Sequence, residues 1–336
     1  MQAKPQSGAI LGRLGRPLSL AILAPLVAEY LLGDLRIVDL AAFPALAMLY
    51  GGGAVLIREV VRRTDGSWRT FVALAVAYAV LEEGILDQTF FNPDFMHQHL
   101  LAYGFWPRLG TSPAWVACVT TLHVVWSLAV PIGMAESLFA ERANEPWLGR
   151  VGIGVYTLLF LFGCIAVGSY SYRTATQHAS ATQITVCAVI ILGLIGVGAR
   201  SRRPHAVATT AQRSRPVAIG IVSFVAGSLF IELFWLGPSV FHWPGDVTAL
   251  AELALDGLAL FLLLRLGSKP WTNLEVWSAT TGGLLVYVWH GYRIYQALHP
   301  GEALIGHTVI VLVICAIQAV AWFRVAHSSA AHHANV

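Results

Sequence analysis

Apolar residues run along this chain in long blocks. Ten blocks, at approximately 17–33, 38–57, 69–88, 113–139, 151–170, 182–199, 217–236, 247–266, 277–297 and 304–324, each come close to the roughly 20 residues that a helix needs to cross a bilayer core. The expected fold is therefore all-α: a polytopic integral membrane helix bundle of about ten transmembrane helices. Residues 17–324 would form one transmembrane domain, preceded by a segment at 1–16 and followed by an unfolded tail at 325–336. Entry chemistry supports several starts. Ser112-Pro113 places a capping hydroxyl before a proline at the first helical position. Asn92-Pro93-Asp94 predicts a short helix at about 93–103, and Asp246 is placed to cap the eighth span.

Composition agrees. The 336 residues are 57% hydrophobic and 12% charged, about half the charge of an ordinary soluble domain, and mean hydropathy is +0.67. Four cysteines, Cys118, Cys164, Cys187 and Cys315, lie inside apolar runs with no CxxC spacing, so they predict reduced thiols packed as small hydrophobes. Arginine outnumbers lysine nineteen to two, which hints at a GC-rich bacterial genome and hence a bacterial inner membrane.

Charge placement supplies a topology. Of the 21 basic residues, 17 fall on the amino-terminal segment, the 2–3, 4–5, 6–7 and 8–9 loops and the tail. Basic loops resist translocation, so this side is expected to be cytoplasmic, with both termini on it and an even number of spans. Tryptophans form two belts: Trp68, Trp147, Trp271, Trp277 and Trp322 on the inner side, Trp106, Trp115, Trp235 and Trp243 on the outer, with Trp126 and Trp289 deeper. The basic start followed by an apolar run is like a secretory signal, but nine further spans favour an uncleaved first helix. Ten spans divide into five plus five, and a five-helix unit repeated after an odd crossing returns inverted, as in several transporter folds. Residues 17–170 and 182–324 share no convincing similarity.

Ionisable side chains inside spans are costly and usually face a cavity or a partner. Glu82, Glu83 and Asp87 lie toward the outer end of the third span, with Glu83 and Asp87 four apart on one face. His123 falls about 15 Å below the outer surface, with Thr120 and Ser127 on its face. Glu252 and Asp256 form a second same-face pair in the eighth span. His290 follows Trp289, with Tyr287 and Arg293 at three-residue spacing. Glu29 and Glu232 read as single acids that snorkel or bind a backbone amide, and Glu136 stands apart near the inner side. The candidate centre is Glu82, Glu83 and His123, holding a divalent metal or activating water as general base. Asp87, Asp256, Glu252 and His290 are candidates for a substrate or ion path.

The outer loop at 89–112 is rich in aromatics: Phe90, Phe91, Phe95, Tyr103, Phe105 and Trp106. Such a loop serves as a lid or an interfacial element. His97 and His99, two apart, share no helix face and make a poor metal pair. Gly51-Gly52-Gly53 inside the second span predicts close helix contact or a local break. The basic 200–216 loop fits contact with anionic lipid and not with nucleic acid. There is no Walker loop, GxGxxG, GxSxG or HExxH.

A double glutamate followed by histidines on later spans resembles the CAAX-protease-like intramembrane enzymes, whose pattern is EExxxR, then FxxxH, then a histidine four residues before Asn or Asp. Glu82-Glu83 and a roughly spaced His123 match over about 45 residues. Asp87 stands where arginine belongs, Val119 where phenylalanine belongs, and Ile294 four residues after His290, so the pattern assigns no family. Three function classes remain open: a transporter or carrier using the outer carboxylates, with Asp256 as the deep relay; a membrane-embedded hydrolase or transferase built on Glu82, Glu83 and His123; and a scaffold without chemistry.

Overall fold

The computed structural model describes residues 6–201 and 214–334. Most of the basic 200–216 loop therefore lies outside the described residues. The described residues hold no strands and form ten long helical elements, at the places where the apolar blocks predict them. We number them α1 (Gln6–Pro25, continued by Leu26–Leu31), α2 (Ile37–Arg63), α3 (Trp68–Leu81, continued by Glu82–Leu86), α4 (Pro113–Leu138), α5 (Arg150–Thr174), α6 (Ala181–Arg200), α7 (Pro216–Ser239), α8 (Gly245–Leu266), α9 (Asn273–Leu298) and α10 (Ile305–Ala334).

Eight of the ten are long and apolar enough to cross a membrane by length and composition alone; α3 and α9 are not. Both carry too many polar residues, and their neighbours explain why that is tolerated. The α9 helix packs on α7, α4 and α10 and buries Glu275, Ser278, Thr280 and His290; α3 packs on α6 and α4 and buries Thr70, Glu82 and Glu83. Their solvent is protein, whereas α5 and α6 bury almost nothing and turn Leu158, Phe162, Ile165, Val189 and Leu192 outward, as lipid-facing helices do. The α4 helix is the most buried span and touches α1, α3, α8, α9 and α10.

Four segments depart from α-helix to the wider π form: Leu26–Leu31, Ala47–Gly51, Glu82–Leu86 and His123–Ala129. All four lie in α1 to α4, while α6 to α10 are regular. The two five-helix halves are thus built differently. The break expected at Gly51–Gly53 is one of these segments, and the expected close contact is there too. A Cβ on Gly51 would lie 2.3 Å from the Ala21 carbonyl oxygen of α1, and one on Gly163 of α5 would lie 2.4 Å from the Leu49 nitrogen. Gly51→Ala is expected to cost roughly 1–3 kcal/mol through overpacking, read as a lower thermal midpoint of the detergent-purified protein; an unchanged midpoint would mean α1 moves aside freely.

The local starts and stops correct several expectations. Ser112 caps α4 by accepting from the Trp115 amide at 3.3 Å. Asp246 lies inside the first turn of α8, whose cap position is Pro244. The short helix expected at 93–103 is only a 3-10 turn, Phe95–His97, because Met96, His97 and His99 all adopt positive φ. This irregular turn brings both His97 and His99 to the Asp94 carboxylate, at 3.2 and 3.3 Å, an arrangement that helix periodicity did not predict. The first helix starts at Gln6, not near 17, and the tail expected to be unfolded continues α10 to Ala334. Once a helix is nucleated, each added Ala or Ser is cheap to append.

The two ends differ. At the loop end, where 87–112 connects α3 to α4, Tyr103 donates to the Trp243 carbonyl at 2.8 Å, His299 meets the Asp34 carbonyl at 2.9 Å, and Arg36 pairs with Glu302. Met96, Phe105, Trp106 and Leu109 remain exposed on this loop. At the opposite, basic end, Glu136 accepts two bonds of 2.7 Å from Arg62 Nη2 and stands 3.0 Å from Arg58 Nε. Arg58 also donates to the Ala143 and Glu145 carbonyls and lies 3.3 Å above the Trp147 ring. Glu59 ties down the Trp147 and Leu148 amides, at 2.9 and 3.2 Å.

Candidate functional site

Two adjacent glutamates on an ordinary helix point about 100° apart. On the π turn at Glu82–Leu86 both side chains face the interior: Glu82 is 1% exposed and Glu83 6%. They clasp one imidazole. His123 Nε2 lies 2.6 Å from Glu83 Oε1, and His123 Nδ1 lies 3.5 Å from Glu82 Oε2 and 3.1 Å from Ser127 Oγ. Glu83 is held in turn, its other oxygen accepting from Thr89 Oγ1, which accepts from Trp115 Nε1 at 3.0 Å. The ring is sandwiched by Tyr50, stacked at 5.9 Å between centroids, and by the edge of Tyr78 at 6.0 Å.

Every π segment contributes to this cluster. Ala47–Gly51 carries Tyr50, Glu82–Leu86 both glutamates, and His123–Ala129 both His123 and Ser127. Leu26–Leu31 carries Glu29, whose carboxyl interacts with Tyr50, Glu82 and Asp34. π-Bulges recur at functional sites because a widened turn re-aims side chains that an α-helix would direct elsewhere. The Tyr50 and Tyr78 hydroxyls both face Glu82. Neither Glu82 Oε2 nor Tyr78 Oη has a hydrogen-bond partner, although both are buried. The two face each other, and Glu82 Oε2 also stands 3.5 Å from His123 Nδ1, so they close one wall of the cluster.

The tautomer logic follows from the partners. With Nε2–H donated to Glu83, Nδ1 presents a lone pair toward Ser127 and Glu82. In that tautomer Nδ1 faces Glu82, while Glu83 holds the opposite edge of the ring. As a metal centre the three residues fit poorly. Glu82 and Glu83 approach different nitrogens on opposite edges of the ring, so the three do not converge on one point. No group of three or more His, Cys, Asp and Glu side chains among the described residues is arranged to hold a metal ion.

The other predicted residues divide. Asp87 accepts from Ser171 Oγ of α5 at 2.7 Å and remains near enough to Glu83, Glu82 and His123 to interact with their charges. Asp256 accepts from Thr121 at 2.7 Å and Glu252 is buried beside it, on the far side of α4. His290 stacks on Trp289 and faces Glu232 at 3.5 Å, with Arg293 on the same carboxylate. Asp87 thus stays with the glutamates, whereas Asp256, Glu252 and His290 lie with groups of their own on other helices. Trp126 is a packing residue, stacked 4.8 Å from Tyr287 and bonded to the Gly283 carbonyl, and Trp289 is 57% exposed. Sequence reasoning missed Tyr78, although it stands four residues before Glu82, and it read Glu29 as an isolated acid; Tyr50 and Thr89 carried no comparable signal.

No curated protein and no solved structure matches the chain. A family model does match, over residues 18–334, which takes in all ten helices and every residue of the cluster. The chain belongs to that family, described as an uncharacterized membrane protein family.

Proposed function

We propose that this multi-pass membrane protein is a membrane-embedded acid–base enzyme of the hydrolase or transferase class. Its reacting atom would sit beside Glu82 Oε2 and Tyr78 Oη, on the Nδ1 side of His123. The observation that carries this reading is the clasp of one buried imidazole by two buried carboxylates, with Nε2 2.6 Å from Glu83 Oε1 and with Tyr78 Oη facing Glu82 beside it. Glu82 and His123 would take a proton from water or a hydroxyl, and the Tyr78 hydroxyl would donate to charge that develops opposite. Glu29 and Asp34, both half-buried, lead from Tyr50 toward the loop end and give that proton a way out. Since the cluster is enclosed by helices inside the bilayer slab, the substrate class that fits is a lipid or a membrane-embedded peptide segment. With the basic end on the cytoplasmic side, the site would open to the exterior.

A carrier needs access from both faces. Below His123, α4 continues with Leu128, Val130, Ile132, Met134 and Ala135, all buried and apolar, before Glu136 is reached. That layer favours the enzyme over the carrier.

The test uses purified protein reconstituted with mixed phospholipids and transmembrane peptides, followed by mass spectrometry. A product made by the wild type and absent with His123→Ala is expected. Identical product profiles for the two proteins would remove the proposal, and a His123-dependent ion flux across sealed vesicles would hand the site to the carrier.

A further inference from the structure

A second polar cluster lies where α8 crosses α4, separate from the Glu–His–Glu centre. Glu252 is fully buried, and neither of its carboxylate oxygens has a hydrogen-bond partner. Asp256, one helical turn further on, is close enough for the two charges to repel, and its Oδ2 accepts from Thr121 Oγ1 at 2.7 Å. Thr248, one turn in the other direction, is also fully buried, and its hydroxyl meets Tyr103 Oη at 2.6 Å. Tyr103 belongs to the outer loop and donates to Trp243, so this pair closes the cluster on the loop side. Glu252 and Asp256 lie roughly 10 and 16 Å along α8 from its start at Gly245.

A carboxylate buried without a donor is among the costliest groups a protein can hold, and a second one beside it adds repulsion. Two carboxylates and a hydroxyl supply the oxygen donors that hard cations take, and the buried Cys118 thiol of α4 faces both carboxylates from the same side. We propose that Glu252 and Asp256, with Thr121, hold a hard divalent cation between α4 and α8. Calcium fits this set best, because its flexible coordination accepts bidentate carboxylates and completes the shell with water, whereas magnesium demands near-octahedral geometry. The ion would join a peripheral helix to the one that carries His123, two residues beyond Thr121.

The experiment is thermal unfolding of the full chain, purified without divalent ions, while calcium or magnesium chloride is titrated at fixed ionic strength. A saturable rise in the wild-type midpoint with calcium is expected, and no rise in the Glu252→Gln/Asp256→Asn double variant. Thr121→Val keeps both carboxylates and is expected to weaken the response severalfold, which separates ligand loss from misfolding. The proposal is overturned by a wild-type midpoint indifferent to both ions, by an equal response in the double variant, or by a response that disappears in Glu83→Gln instead.

Discussion

Glu82→Gln is expected to lower turnover of the proposed reaction by about 10²- to 10⁴-fold, the usual contribution of a positioned acid or base. Glutamine is nearly isosteric, so the packing against Tyr50 and Tyr78 survives, but the amide neither takes the proton nor shares it with His123 Nδ1. The loss should fall on kcat with KM little changed, because the group acts on the reacting atom and not on the body of the substrate. Glu83→Gln is expected to cost less, about 10- to 100-fold, as the loss of a group that orients a catalytic imidazole typically does. Its side-chain oxygen still accepts from Nε2, and only the charge that steadies the ring is gone. Neither variant should unfold, since each removes a buried charge. Thermal midpoints at or above the wild type, with graded activity losses in this order, are the expected pattern. Full activity in both variants would end the assignment. Abolition by Glu83→Gln with Glu82→Gln intact would reverse the two roles and put the reacting atom at Nε2.

Glu136→Ala is expected to be the most destabilising single change, at roughly 3–5 kcal/mol, because breaking a buried ion pair leaves the partner uncompensated. The stranded partner is Arg58, 2% exposed under the Trp147 ring. Arg62 also loses its carboxylate but, at 15% exposure, has a shorter route to water. The Ala143 and Glu145 carbonyls would still bind Arg58, so the guanidinium remains oriented but unneutralised. The measurement is the unfolding midpoint in detergent. A cost below about 1 kcal/mol, the range of exposed pairs, would mean that the arginine swings out to the interface.

How much of the site was legible in advance depends on which distance had to be known. Glu82, Glu83 and His123 were visible because ionisable groups are rare in apolar runs, and hydropathy alone exposes them. Asp87 was visible for the same reason; its bond to Ser171 of α5 was not, because that partner comes from another helix. Tyr50 and Tyr78 look like ordinary core aromatics until the fold stacks them on His123. The membership of Glu29 was hidden because its partners, Asp34 apart, come from other helices. The 93–103 turn failed because Asn-Pro-Asp announces a helix start, while positive φ at three nearby residues ends the helix almost at once.

Taken alone, the chain's pattern was enough for membrane residence, ten helices, their order and most of their ends, the start of the first and the end of the last excepted. Those properties rest on local matters: the length of an apolar run against the thickness of hydrocarbon, and the capping of single turns. Lateral packing decided the rest. It determined that polar α3 and α9 lie inside, shielded by α6 and α7, and that two adjacent glutamates both turn inward. It also brought Glu29, Tyr50 and Glu83, from three helices, to the His123 imidazole of a fourth. None of this is encoded in periodicity, because a π turn forms only where the energy of side chains meeting across helices outweighs the backbone's preference for the α form.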